Sequence, residues 1–339
     1  MKNYNPSTFH KELIKTITPE FTYNDGCDYA EWREKVKNKY AEIIKKPAKT
    51  IDAKPEIEYT EDKETYTEIR YSFESEPGYF VPCHLLIPKA AKKPCPVVIC
   101  LQGHSTGMHI SLGIAKYPGD EAKISGGDRD FAIRAVKEGY AALVMEQRAF
   151  GECESDKKDH ELGRCHLIAM QAILVGRTVI GERALDISQA IDTLYYFEQL
   201  DTDRIACMGN SGGGTATYYA SCTEDRIKAV MPSCAFCTLE ASIYSIAHCP
   251  CNLMPDQYKY FEMQDLACLL APKKLIIVNG AKDEIFPLDA ANKAYETVEK
   301  IYAAAGVPDN CAHVIGSEGH RFYADDAWPV FKKLTGWID

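Results

Sequence analysis

Short, almost continuous apolar runs alternate with amphipathic segments from about residue 96 onward. The apolar runs lie at residues 97–101, 141–145, 204–208, 229–231, 275–278 and 312–315. Helical spacing of apolar residues predicts helices near residues 128–138, 167–200, 213–222, 289–304 and 325–334. Strands that are apolar throughout are buried on both faces, and alternating strands and helices are typical of a parallel sheet. The pattern therefore predicts an α/β domain with a mostly parallel, doubly wound sheet.

Two further strands are predicted before this region. Residues 65–73 alternate between large apolar and polar side chains. Residues 79–87 form a second strand-like run, which Pro88 closes, and Gly78 marks the turn between the two. We expect both segments to belong to the same sheet.

The first 60 residues are polar apart from one helical pattern. Trp32, Val36 and Tyr40 recur there at the spacing of a helix face. No pattern in this segment indicates chemistry, and no linker divides the rest of the chain. We therefore predict an N-terminal helical extension over residues 1–60, packed on one domain over residues 61–339.

Composition and charge narrow the class of protein. Of the 339 residues, 46% are hydrophobic and 26% are charged, as in an ordinary globular protein with a full core. The net charge of −10 disfavours nucleic acid and anionic membranes as partners. No stretch approaches the roughly 20 apolar residues that a membrane span needs. We therefore expect neither a nucleic-acid partner nor a membrane partner.

The chain has fourteen cysteines. Cys100 and Cys207 lie inside apolar runs, where a free cysteine behaves as a small hydrophobic residue. Residues 1–6 show no apolar segment of a secretory signal. Both observations favour a reducing, cytoplasmic location over a disulfide framework.

A candidate nucleophile lies at the end of one predicted strand. The run at 204–208 leads into Gly209-Asn210-Ser211-Gly212-Gly213, and a predicted helix follows. This Gly-x-Ser-x-Gly arrangement suits a sharp strand-to-helix turn, because the flanking positions must lack side chains for the turn to close. The turn lifts the serine hydroxyl to a helix N-terminus, where N–H groups favour negative charge. We predict Ser211 as a nucleophile; the alternative is a glycine-rich turn that cradles a phosphate or merely closes a loop.

A serine nucleophile needs a base, and the base needs an orienting carboxylate. In this arrangement the acid and then the histidine follow the serine along the chain. His320 lies in a loop beyond the last predicted strand, whereas His313 lies within that strand. Asp283 follows the preceding strand, with Glu284 as its competitor. We predict His320 as the base and Asp283 as the acid.

Acyl transfer also needs two donors for the oxyanion. One is expected to be the N–H of Gly212, and the other the N–H of His104, in the loop after the strand at 97–101. Gly103, which precedes His104, is a predicted substrate contact. Arg148 follows another strand, where open α/β sheets place ligands. It is predicted either to bind substrate or, preferentially, to buttress the site by ion pairing.

These motifs together resemble those of the α/β-hydrolase superfamily, in its dienelactone-hydrolase-like and acetyl xylan esterase-like branch. The features that carry the resemblance are the segments at 102–104, 146–151 and 209–213, with Asp283 and the Gly319-His320 pair. The resemblance implies an α/β-hydrolase fold, antiparallel at its start, with a Ser-Asp-His triad for carboxylic esters. The chain departs from dienelactone hydrolases at Ser211, where they use cysteine. It departs from the cephalosporin-C and acetyl xylan esterase group at 148–151, which reads Arg-Ala-Phe-Gly.

A group of cysteines follows the run at 229–231. Cys234 and Cys237 are followed by His248, Cys249 and Cys251, a pattern that invites a zinc interpretation. Cys-Pro-Cys is tight for chelation by both sulfurs. We therefore favour an insertion, residues 234–268, that lines the pocket with aromatic residues such as Phe236, a predicted substrate contact. Whether the cysteines bind a metal is left open.

The sequence thus predicts a serine esterase that needs no metal or organic cofactor. The expected substrates are small-molecule or oligosaccharide esters, with short acyl groups such as acetyl favoured. A peptidase or amidase with the same triad, and a non-catalytic binding protein of this fold, are the alternatives. Self-association into a homo-oligomer is left open.

Overall fold

A nine-stranded mixed sheet forms the centre of the protein in the computed structural model, which describes residues 3–156 and 163–338. Its strands are β1 (Glu56–Asp62), β2 (Tyr66–Glu76), β3 (Tyr79–Pro88), β4 (Cys95–Leu101), β5 (Ala141–Met145), β6 (Leu200–Asn210), β7 (Ile227–Ser233), β8 (Lys274–Gly280) and β9 (Cys311–Gly316). Across the sheet their order is β1-β2-β3-β5-β4-β6-β7-β8-β9. The pairs β1–β2, β2–β3 and β3–β5 are antiparallel, and all remaining pairs are parallel.

Helices cover both faces of this sheet. They are α1 (Pro6–Leu13), α2 (Tyr29–Ile44), α3 (Asp120–Gly127), α4 (Phe131–Lys137), α5 (Arg164–Leu174), α6 (Val179–Leu194), α7 (Gly212–Ser221), α8 (Gln257–Tyr260), α9 (Ala267–Leu270), α10 (Leu288–Ala304) and α11 (Ala324–Thr335). Side chains of a strand alternate between faces, so Val97, Ile99 and Leu101 pack with α2, α6, α7 and α10. Val98 and Cys100 pack on the other face with α4 and α11. The predicted doubly wound α/β architecture with antiparallel first strands is therefore confirmed.

The helix predicted over 167–200 forms as two helices, α5 and α6. Gly176 interrupts it with a φ of +74°, a conformation that glycine adopts without strain. The Thr178 hydroxyl then accepts a hydrogen bond from the Gly181 N–H at 2.9 Å and starts the second helix. The turn at Gly176 and the cap at Thr178 thus divide the helix, although the helical spacing of apolar residues continues through this segment.

The N-terminal segment packs on the main core through α2. Trp32, Val36 and Tyr40 are buried, and the Tyr40 hydroxyl donates to the Tyr219 carbonyl at 2.7 Å. Strand β1 begins at Glu56, so the boundary predicted at residue 60 falls inside a strand of the sheet. The reason that β1 escaped prediction is that all seven of its residues are exposed, so it lacks an apolar pattern.

The parallel strands bring their carboxyl ends to one edge of the sheet. The loops after β4, β6, β8 and β9 gather there, and they carry the predicted oxyanion donor, nucleophile, acid and base. Among the described residues, no helix is both long and apolar enough to cross a membrane. All fourteen cysteines are free.

Candidate active site

The turn between β6 and α7 holds Ser211 in a strained conformation. Its φ of 58° and ψ of −126° are rare for a residue with a side chain. The turn closes because Gly209 and Gly213 touch: a Cβ atom on Gly209 would lie 2.5 Å from the carbonyl carbon of Gly213. The half-buried Ser211 is thereby held at the junction between strand and helix, as the motif predicts.

The structure brings Asp283 and His320 into direct contact. The His320 Nδ1 and the Asp283 Oδ2 lie 2.8 Å apart. The second carboxylate oxygen accepts hydrogen bonds from the Ile285 N–H at 2.8 Å and the Phe286 N–H at 3.2 Å. The Phe286 ring also stacks on the imidazole, with centroids 6.0 Å apart. Carboxylate and ring together set the orientation of His320, whose side chain keeps 21% of its surface exposed.

The Asp283 carboxylate is buried yet holds its proton weakly. Burial acts to raise its pKa, but the hydrogen bond and charge of His320 and the two backbone N–H donors outweigh burial and lower the pKa below 3.8. The Cys234 thiol lies beside the same pair. Burial, with the Asp283 charge, raises the pKa of Cys234 to about 12, so it remains a neutral thiol.

Ser233, the last residue of β7, connects the nucleophile turn to the His320 loop. Its carbonyl accepts the Ser211 N–H at 2.8 Å. Its hydroxyl lies 2.9 Å from the Asn210 side chain and 3.5 Å from the Arg321 carbonyl. Within residues 3–156 and 163–338, no hydrogen bond joins the Ser211 hydroxyl to the imidazole of His320. The two loops are thus neighbours through Ser233, with the histidine side chain partly exposed.

The loop after β4 lies against this turn. A Cβ atom on Gly103 would lie 2.5 Å from the Asn210 carbonyl oxygen and 2.9 Å from the Ser211 Cβ, so only glycine fits there. Neither the His104 N–H nor the Gly212 N–H donates to another atom of the described residues. Both predicted oxyanion donors therefore remain available beside Ser211.

The competing candidates lie elsewhere. His313 is on β9, where its Nε2 lies 3.0 Å from the Asn279 Oδ1 and its ring tilts against Tyr295. Burial lowers the pKa of His313 to about 4. Glu284 is exposed, whereas its neighbour Asp283 faces His320.

Arg148 is engaged by carboxylates on several sides. Its Nε lies 2.8 Å from Asp186 Oδ2, and its Nη2 lies 2.7 Å from Glu76 Oε2. Its Nη1 lies 3.5 Å from Glu182 Oε2, and the guanidinium also lies over the Tyr79 ring at 4.2 Å. The buttressing interpretation fits this arrangement better than substrate binding.

The prediction that Phe236 lines a substrate pocket is not supported by its burial. Its side chain is fully buried and packs against Tyr218, with ring centroids 5.5 Å apart. The physical reason is its position three residues after β7, where its ring packs on α7 instead of facing solvent. Its carbonyl accepts a hydrogen bond from the Asn279 side chain at 3.1 Å.

The cysteines grouped by sequence separate into two sets in space. Cys234 lies beside Asp283, and the Cys237 Sγ lies 3.7 Å from the Pro287 carbonyl. Cys249 and Cys251 instead meet Cys165 of α5 and the His104 side chain. Cys165 stands far upstream in the sequence, with no spacing signal that links it to the others.

A cleft of about 400 Å³ opens at the same edge of the sheet, beside the loop that carries Gly103 and His104. Thr106, Tyr117, Glu152 and Arg164 are among its lining residues. A larger cleft of about 680 Å³, near Pro94 and Arg204, lies at the opposite ends of β4 and β6 and far from the candidate site. The smaller cleft is bordered by the loops after β4 and β5, and Ser211, Asp283 and His320 are not among its lining residues.

A mixed sheet with a strained serine at a strand-to-helix turn, followed in the chain by an aspartate and a histidine in contact, defines the α/β-hydrolase class of proteins. The chain belongs to the Abhydrolase family, whose model matches residues 7–176. The model of the prolyl oligopeptidase family matches residues 181–339. The superfamily resemblance drawn from the motifs is therefore confirmed.

Individual relatives agree with this assignment. "Putative hydrolase YtaP" of Bacillus subtilis (strain 168) is 25% identical over 272 residues, which cover 78% of this chain and 84% of that protein. The structure described as a putative acetyl xylan esterase from Bacteroides fragilis NCTC 9343 has a TM-score of 0.75 and 20% identity, over 96% of this chain and 84% of its own. A glucuronoyl esterase from Solibacter usitatus has a TM-score of 0.70 and 15% identity, over 91% of this chain and 92% of its own. The two solved structures share the fold of this chain.

Substituting Gly103 should destabilise the protein because a methyl group there collides with backbone. We expect Gly103→Ala to lower the free energy of unfolding by about 1–3 kcal/mol, as overpacking does, measured by urea denaturation. Gly126→Ala is the matched control, since nothing lies within 4 Å of its added methyl group and it sits in α3. Equal stabilities for Gly103→Ala and the wild type would contradict the steric account.

The lowered pKa of Asp283 predicts a pH dependence of stability. Because the folded pKa lies below the ordinary 3.8, the ionised carboxylate stabilises the fold above that pH, and the contribution is lost as the pH falls through the folded pKa. The stability advantage of wild type over Asp283→Asn should therefore shrink on acidification from pH about 6 to about 3. Denaturant titrations across that range measure it. Asp203→Asn, at an exposed site, should change stability by no more than about 0.5 kcal/mol, and a pH-independent advantage of wild type over Asp283→Asn would argue against the assignment.

Proposed function

We propose that the protein is a serine hydrolase of carboxylic esters, with Ser211 as nucleophile, His320 as base and Asp283 as the orienting acid. The observation that carries the proposal is the 2.8 Å contact between His320 and Asp283 on loops that border the strained Ser211 turn. A neutral serine hydroxyl is a weak nucleophile, and a positioned base activates it by removing its proton. The exposed edge of His320 is the part that would serve as that base.

The reaction would proceed through an acyl-enzyme. His320 takes the proton of Ser211 as the hydroxyl oxygen attacks the ester carbonyl, and the imidazolium is stabilised by Asp283. The His104 and Gly212 N–H groups, which have no acceptor among the described residues, would donate to the oxyanion. The imidazolium then protonates the departing alcohol, and a water molecule activated by His320 releases the acyl group. Arg148, held by Glu76 and Asp186, supports the loop after β5 without touching the reacting atoms.

The favoured substrates are short acyl esters, acetyl esters above all, of carbohydrates or small molecules. Solved structures with this fold include an acetyl xylan esterase and glucuronoyl esterases, which supports a carbohydrate ester. The cleft of about 400 Å³ that Thr106 lines, on the loop after β4, has room for a sugar as the alcohol part. The net charge of −10 favours neutral over polyanionic substrates.

Peptide or amide hydrolysis is the second candidate. The prolyl oligopeptidase family model matches residues 181–339, the part of the chain that carries Ser211, Asp283 and His320. The same triad can cleave either bond, so the leaving group decides between the two activities.

A cytoplasmic location remains a prediction of the sequence.

Replacing Ser211 should abolish hydrolysis. We expect Ser211→Ala to lower kcat/KM for p-nitrophenyl acetate by at least about 10³-fold, because the acyl-enzyme no longer forms. Ser125→Ala, at an exposed serine of α3, should keep the wild-type rate. A fluorophosphonate probe should label the wild type and not Ser211→Ala. Equal rates in wild type and Ser211→Ala would refute the proposed nucleophile, and the absence of both hydrolysis and labelling would favour a non-catalytic binding protein.

An ester panel should separate the proposed substrates from their competitors. We expect kcat/KM to fall as the acyl group lengthens from acetyl to long chains. We also expect the protein to hydrolyse acetylated oligosaccharides. We also expect p-nitrophenyl acetate to be cleaved well ahead of its matched amide, p-nitroacetanilide. A preference for the amide would favour the peptidase interpretation, and a preference for long chains would contradict an acetyl esterase.

A further inference from the structure

Four side chains that bind soft metals converge beside the candidate active site. His104 comes from the loop after β4, Cys165 from α5, and Cys249 and Cys251 from the loop after β7. Their ligand atoms all lie within 4.8 Å of one another. These four side chains come from three distant parts of the sequence. Three cysteines and one histidine are the donors that a Cys₃His zinc site uses.

The individual distances fit the corners of a tetrahedron around zinc. With Zn–S near 2.3 Å and Zn–N near 2.0–2.1 Å, neighbouring S and N atoms should lie about 3.5 Å apart, and two S atoms about 3.8 Å apart. The His104 Nε2 lies 3.4 Å from the Cys251 Sγ and 3.7 Å from the Cys165 Sγ. Although only Pro250 separates Cys249 from Cys251, their Sγ atoms lie 3.2 Å apart on the same side of the chain as the other donors, so both can face one metal. Metal binding would spread this pair by about half an ångström.

A buried arginine supplies an independent observation. Arg183 is only 1% exposed, and its Nη1 lies 3.5 Å from the Cys251 Sγ. Its Nε and Nη2 donate to the Arg148 carbonyl at 3.2 and 2.7 Å, and no carboxylate of the described residues pairs with it. The guanidinium also lies 4.3 Å above the Phe150 ring, but a buried cation without an anionic partner is still costly. Three thiolates around a divalent cation carry a net charge of −1, which would balance this guanidinium.

We propose that His104, Cys165, Cys249 and Cys251 bind one zinc ion. Four protein ligands leave no open position for water or substrate, so the site would be structural rather than hydrolytic. The sequence pattern left zinc binding open for a different set, Cys234 and Cys237 with His248, Cys249 and Cys251. In the structure the first two are replaced by His104 and Cys165.

The site would fix the loop that carries the proposed oxyanion donor. The His104 ring lies beside Gly212, where an added Cβ would be 3.0 Å from its Nδ1, and packs edge-on against Phe150 at 4.8 Å. A metal on Nε2 would hold this ring, and with it the His104 N–H, to α5 and to the loop at Cys249. Metal binding and ester hydrolysis are separate properties, so either proposal can fail without the other.

Metal content of the full chain tests the proposal. We expect inductively coupled plasma mass spectrometry of untagged protein, dialysed after reconstitution with ZnCl₂ under reducing conditions, to find about one zinc per chain. Cys165→Ser and Cys251→Ser should each lose most of this zinc. Cys311→Ser is the matched control, because its thiol lies on β9 outside the cluster, and it should retain the metal.

A second measurement on the wild type does not depend on variant folding. Replacing zinc with Co²⁺ should give thiolate-to-metal charge-transfer bands and the strong visible bands of tetrahedral cobalt. Folded, reduced wild type that retains substoichiometric zinc and shows no such bands would overturn the proposal. A Cys249–Cys251 disulfide in peptides alkylated without prior reduction, from protein kept anaerobic, would overturn it as well.

Discussion

The site depends on direct backbone-to-backbone contact between the end of β4 and the Ser211 turn, which glycine residues make possible. The end of β4 touches the Ser211 turn so closely that Gly213 lies against the Leu101 carbonyl and Gly103 against the Asn210 carbonyl. Side chains at either glycine would push the two loops apart. The strained φ of Ser211 persists because strand, helix and neighbouring loop over-determine it. The same contact sets where the His104 N–H lies relative to the nucleophile.

Polar side chains beneath this contact connect the loops around the site by hydrogen bonds. Burial raises the pKa of Glu146 to about 7, and its carboxyl group accepts the Met108 N–H at 2.9 Å, which ties the loop after β5 to the loop after β4. The Gln147 side chain donates to the Gln102 carbonyl and reinforces that connection. These hydrogen bonds connect the loops without using the N–H groups of His104 and Gly212, and the side-chain oxygens of Gln102 and Gln147 are buried without a hydrogen-bond partner among the described residues.

Most of the fold and the proposed triad could be predicted from sequence because they depend on local signals. Apolar runs reveal doubly buried strands, and Gly209, Ser211 and Gly213 satisfy a steric rule that spans five residues. Apolar patterns cannot reveal a strand that has no apolar face, as in β1. Motif spacing cannot reveal a contact between residues that are distant in sequence. Cys165 and Arg183 meet Cys251 only after the chain has folded, and no spacing could have joined them. Phe236 shows a third limit, since aromatic character alone does not distinguish a pocket wall from a core.

Strand β1 forms one edge of the sheet, and its outer backbone groups have no neighbouring strand among the residues that the structure describes. Such an edge invites a strand from another molecule to add on. Four of its seven residues, Glu56, Glu58, Glu61 and Asp62, are acidic, and the whole strand is exposed. Acidic side chains on an edge strand disfavour its pairing with the same strand of another copy, because like charges placed opposite one another repel.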